Sequence, residues 1–77
     1  MDIKSFIELI VAEFDNVDLA AITPQSNYKD TLNLNSINSL ILIAVVDAAF
    51  NVALDANDLK TTQSFNELFE LINTRIS

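Results

Sequence analysis

Ser36 is the side chain with the strongest claim to chemistry in this sequence. It stands in Leu32-Asn33-Leu34-Asn35-Ser36-Ile37, directly ahead of a long apolar stretch. The chain has no His and no Cys, so no imidazole can take the serine proton and no triad can form. Tyr28, the one tyrosine, reads as a loop anchor rather than an acid or base. Paired-carboxylate catalysis needs an enclosed cleft, which a domain this small can hardly provide. The route left to reactivity is to receive a reactive group. A serine opening a helix is a good place to attach one, because the first backbone N–H groups there lack internal partners and the helix dipole is positive. On pattern alone, Ser36 could equally be a polar first-turn residue beside Asn35.

Other clusters offer less. Glu13, Asp15 and Asp18 gather at the end of the first expected helix, and Asp55 lies near Asp58. Each set could attract a hard divalent cation, but neither has EF-hand spacing, and no specific metal site is expected. Asp55 and Asp58 read as cap and surface residues. The absence of glycine argues against phosphate-cradling loops and dinucleotide-binding turns.

Eleven acids face four bases, for a formal net charge of −7. Lys4, Lys29, Lys60 and Arg75 are scattered, so nucleic acid and acidic lipid are disfavoured as partners, and a partner with a basic surface is favoured. The longest apolar run, Leu40 to Val46, is too short to span a bilayer. No charged-then-apolar leader opens the chain. The expectation is a cytoplasmic monomer with no membrane insertion. Residues 1–77 are expected to form a single domain, with a thin stability margin because a chain this short buries only about 60% of its unfolded surface.

The elements that must position Ser36 follow from periodicity. Residues 2–15 carry Ile3, Phe6, Ile7, Ile10, Val11 and Phe14 as one helical stripe, with Asp2 able to cap it. Residues 16–34 are a long connection, rich in Asn, Asp, Ser and Thr and broken by Pro24. Ile22, Tyr28, Leu32 and Leu34 are its anchors to the core. Residues 36–50 form a helix with Asn35 as N-cap, although Leu-Ile-Leu-Ile-Ala-Val-Val has strand propensity. Length without a turn residue decides for helix, and Asn51 suits a left-handed close. Residues 55–60 make a short turn capped by Asp55. Residues 65–76 make the last helix, with Ser64 and Glu67 at capping-box spacing and Phe65, Leu68, Phe69, Ile72 and Ile76 as its stripe.

The 36–50 helix is apolar on both sides. At about 100° per residue, Leu42, Ile43, Val46, Ala49 and Phe50 gather on one side. Ile37, Leu40, Ile41, Ala44, Val45 and Ala48 gather on the other. Asp47 is its one charge. Such a helix is either wholly enclosed, here by the long connection, or keeps a face for a partner. Leu42, Val46 and Phe50 are the expected core. Ile37, Leu40, Ile41, Ala44 and Asp47 are the expected partner-facing set.

The chain resembles the acyl carrier proteins and related peptidyl carriers over essentially its whole length. Their signature, Asp-Ser-Leu at the start of the second of four helices, reads here as Asn35-Ser36-Ile37. The interval from Ser36 through Phe50 to Asn51-Val52 matches the family's spacing to a Phe-Gly-Val-like helix end. Leu32, the turn near Asp58 and Thr61-Thr62 fit as well. The resemblance implies an all-α four-helix bundle with a long loop between helices 1 and 2 and a short third helix. It implies that a phosphopantetheinyl transferase moves 4′-phosphopantetheine from coenzyme A onto Ser36. An acyl- or aminoacyl-loading ligase and downstream synthase or transferase enzymes would then load, modify and unload a thioester on the arm. The protein would be a non-catalytic carrier subunit, with a pocket for the tethered chain lined by the last helix and the 55–60 turn.

Two departures stand out. Asn35 replaces the usual Asp, removing a charge beside the serine. The 36–50 helix is almost bare of acid, whereas members serving fatty acid biosynthesis show an acidic helix to basic enzyme patches. A dedicated carrier for a specialised lipid, polyketide or nonribosomal peptide pathway is inferred. Its partner contact would be more apolar and less salt-sensitive. The alternative is an unmodified helical protein–protein adaptor with the carrier fold.

Overall fold

The computed structural model describes residues 1–76. Helices α1 (Ile3–Val11), α2 (Tyr28–Thr31), α3 (Ser36–Phe50), α4 (Ala56–Thr61) and α5 (Phe65–Arg75) follow one another, with a 3₁₀ turn at Leu19–Ala21. No strand is present among the described residues. The bundle is all-α as expected, with an additional single-turn helix inside the 16–34 connection.

Asp2 caps α1 by accepting a hydrogen bond from the Ser5 N–H at 2.8 Å. Phe6, Ile7, Ile10 and Val11 are its buried stripe. The helix ends four residues earlier than its apolar pattern predicts. The Glu13 and Phe14 N–H groups turn to the Ile10 and Val11 carbonyls, the tightening typical of a helix end. Asn16 then takes a left-handed φ of 61°. Phe14 still packs on the core, so the stripe continues in space after the helix has stopped.

The long connection is stitched to the far end of the chain. Asn27 caps α2, its side chain accepting from the Lys29 and Asp30 N–H groups. The Tyr28 N–H donates to the Gln63 carbonyl at 3.0 Å, and the Phe65 and Asn66 N–H groups donate to the Ser26 and Pro24 carbonyls. Tyr28 is fully buried, and its hydroxyl lies 2.8 Å from Thr62 Oγ1. Leu32 is buried, and Ile22 and Leu34 pack against the core. All four expected anchors therefore hold the connection down.

α3 runs over the bounds that the sequence predicts, and residues 40–46 are helical despite their strand propensity. Tertiary burial decides: Leu42 and Val46 are fully enclosed, while Phe50 is half-buried with its ring centroid 5.9 Å from that of Phe6. Ala49, expected on this side, is exposed. Asn51 closes the helix at φ 56°, its N–H donating to the Asp47 carbonyl. With no glycine in the chain, the three left-handed positions fall on Asn16, Asn33 and Asn51, the residue type other than glycine that tolerates them best.

α4 begins one residue after its cap, in a reciprocal box in which Asp55 and Asp58 each accept from the other's backbone N–H. α5 has the expected Ser64–Glu67 box. Ile76 terminates it and is 45% exposed, so it leaves the predicted stripe. Phe65, Leu68 and Ile72 are fully buried, and α1 packs against both α3 and α5.

Candidate functional site

Ser36 is exposed at the first turn of α3. Asn35 caps this turn, its side-chain oxygen accepting from the Asn38 N–H at 2.8 Å. The Ser39 N–H closes onto the Asn35 carbonyl. The N–H groups of Ser36 and Ile37 have no partner among the described residues, and neither does the Ser36 hydroxyl. No acidic side chain lies in this first turn. An exposed hydroxyl and two free donors at the positive end of a helix suit an attached phosphodiester. The residues present therefore fit such a group.

The turn ahead of Ser36 is held by a residue that the motif does not mark. Asn38 Nδ2 donates to the carbonyls of Leu32 at 3.1 Å and Asn33 at 3.0 Å. Nothing in the local pattern marks it, because Asn38 stands between Ile37 and Ser39 as an ordinary polar residue of a first turn.

The outer face of α3 is continuous with the serine. Ser36, Leu40, Ala44 and Asp47 recur at helical spacing and are all exposed. Ile37 is 69% and Leu40 67% exposed, so the long connection does not cover this face. Ile41 is half-buried and offers less surface than the other expected partner-facing residues. Between α1 and α3 lies an open groove lined by Leu9, Ile41, Ala44, Val45 and Ala48. Two further clefts lie by the connection. None of these three is lined by α4 or α5, where the resemblance places a pocket for a tethered chain.

Asp58 corrects the sequence reading. Expected at the surface, it is buried. It pairs with both guanidinium nitrogens of Arg75, the Nη1 bond being 2.7 Å. The Arg75 guanidinium, helped by the Asp55 backbone N–H, holds the Asp58 carboxyl below the usual carboxylate range. Thr62 Oγ1 donates to the Asp58 carbonyl at 2.8 Å and meets the Tyr28 hydroxyl, whose pKa burial pushes up. This network ties the 16–34 connection to α4 and α5. No group of three or more ligating side chains among the described residues could hold a metal ion. No helix among them is long and apolar enough to cross a membrane.

Comparison with known proteins accords with this geometry. The family model described as "Phosphopantetheine attachment site" matches residues 5–72. The acyl carrier protein of Thermosynechococcus vestitus is 22% identical over 76 residues, covering 99% of this chain and 94% of the relative. Acyl carrier protein AcpXL of Rhizobium etli is 34% identical over 58 residues, covering 75% of this chain and 61% of the relative. With its match spanning both flanks of the α3 turn and most of the bundle, the chain belongs to the phosphopantetheine-attachment family of carrier proteins, whose cofactor is covalently attached 4′-phosphopantetheine.

Proposed function

We propose that Ser36 is the attachment residue and that the whole chain acts as one non-catalytic carrier domain for a specialised lipid, polyketide or peptide pathway. The observation that carries this reading is the exposed Ser36 hydroxyl beside two free helix N–H groups, within the matched residues. Ser36 holds the phosphate ester, and the Ser36 and Ile37 N–H groups face its charge. Asn35 keeps the first turn closed without placing a carboxylate there. When bound, the arm supplies a terminal thiol on which acyl or aminoacyl groups ride as thioesters.

Three partner classes follow: a phosphopantetheinyl transferase, an acyl- or aminoacyl-loading ligase, and downstream synthases or transferases. The specialised assignment rests on α3. Its exposed face presents Ile37, Leu40, Ala44 and Ala48 with Asp47 as its only charge, so apolar burial rather than charge pairing would dominate the contact. A relative with its own designation, AcpXL, is compatible with this.

The test is intact mass after incubation with coenzyme A and a broad-specificity transferase. Wild type should gain one phosphopantetheine group, about 340 Da by covalent formula, and Ser36→Ala should gain none. No gain in either would favour the adaptor reading, which Asn35 in place of Asp keeps open.

A further inference from the structure

We propose that Asn38 is a positioning residue for the Ser36 turn, with its carboxamide clamping the backbone that leads into the serine. The inference rests on Ser36 being the attachment residue and adds a determinant that the three-residue signature omits. Asn38 engages the turn at three points. Its backbone N–H donates to Asn35 Oδ1 at 2.8 Å. Its Nδ2 donates to the Leu32 and Asn33 carbonyls at 3.1 and 3.0 Å. The carbonyls so held flank a left-handed residue, Asn33 at φ 51°. Asn tolerates that region better than other non-glycine residues, but its Cβ still carries a cost there, which the surrounding hydrogen bonds offset. The Asn33 and Leu34 N–H groups close back on the Asp30 and Lys29 carbonyls, so the path from α2 into α3 is a short bend that Asn38 spans.

An enzyme that modifies the serine must meet its hydroxyl in one attitude. If the bend opens, only the closed fraction binds, and apparent affinity falls by that fraction. Once bound, the geometry is restored, so turnover is retained. Asn38→Asp isolates the clamp. It is nearly isosteric, keeps the backbone bond to Asn35 and suits a helix N-terminus, but an ionised carboxylate cannot donate to two carbonyls. Asn38→Ala is the second variant, removing the donors without adding charge.

The experiment measures transferase kinetics on wild type and both variants, together with backbone amide hydrogen exchange on the apo proteins. Both variants should raise KM about tenfold with kcat held, equivalent to about 1.4 kcal/mol. Exchange at the Asn33 and Leu34 amides should quicken while α5 stays protected. Modified wild type with variants of unchanged KM, or a loss carried by kcat alone, overturns the clamp and leaves the attachment reading standing. Wild type that is not modified overturns the attachment reading, and the clamp's role toward that serine goes with it. Unchanged exchange at Asn33 and Leu34 overturns the clamp whatever the kinetics show.

Discussion

Replacing Leu40 by Gln tests the docking face of α3 directly. Fully burying a Leu side chain is worth about 1.5–3 kcal/mol. Leu40 is 67% exposed, so a partner that covers it gains about two-thirds of that, roughly 1–2 kcal/mol, or about tenfold in Kd. Ile37 at 69% exposure offers a similar gain. The double variant Ile37→Gln, Leu40→Gln should therefore weaken binding by up to about a hundredfold, less whatever the partner leaves uncovered. Gln is a good helix former, and neither side chain fills the core, so stability should move by no more than about 0.5 kcal/mol. The assay is calorimetric titration of each variant against a cognate loading enzyme at low and moderate salt. Wild-type affinity that drops an order of magnitude between the two salts, or a Leu40→Gln variant that binds like wild type, would refute the apolar-contact argument.

Other expectations concern the fold. Asn51→Ala forces a Cβ without a local polar partner into the left-handed well at φ 56°. It should cost about 1–2 kcal/mol, and each kcal/mol should lower Tm by about 4–8 °C by calorimetry; Asn51→Gly should stay within about 0.5 kcal/mol of wild type. The folded-state carboxyls of Asp58, held low first by Arg75, and of Glu67, held low first by the Ser64 backbone N–H, lie below their unfolded values. Their stabilisation is therefore complete above the ordinary carboxylate range near pH 4 and is lost as pH falls through the lowered values. Denaturant unfolding from pH 7 downward should show that acid limb, and Asp58→Asn should flatten it. Among the described residues Asp58–Arg75 is the one ion pair, so at a net charge of −7 added salt or Mg²⁺ should raise Tm by screening self-repulsion. An unchanged melting point on adding salt would count against that account.

Features set by neighbours in sequence were legible before any coordinates. Asn35, Asn51, Asp55 and Ser64 each punctuate a helix through bonds to residues at most four positions away, and each sits where the pattern put it. Features set at long range were not. The burial of Asp58 depends on Arg75, seventeen residues on, and nothing local distinguishes it from a surface cap. α2 forms where Tyr28 docks on Gln63, Thr62 and Phe65, which a run of polar residues does not announce. α1 stops at Val11 although Phe14 keeps its period, because the apolar stripe records what is covered and not where the hydrogen-bond ladder ends. At the site, spacing placed Ser36 at a helix start and gave α3 two apolar faces, but the resemblance singled out the serine, and only tertiary packing decides which face is buried. The role of Asn38 could not be read from spacing, since its partners are carbonyls that become available only when Asn33 turns left-handed.

The stitching of residues 24–28 to residues 62–66 bears on how the protein is made. A chain emerging from the ribosome completes α1 and the Ser36 segment well before Thr62 and Phe65 exist to receive Tyr28. Without those contacts, α2 is a single turn with too few bonds to persist, and the bend into α3 has no fixed upstream end. The finished surroundings of Ser36 therefore arise only after residues 62–66 have been synthesised and can meet residues 24–28. Truncation before residue 62 should leave a serine with the right neighbours in sequence and the wrong ones in space.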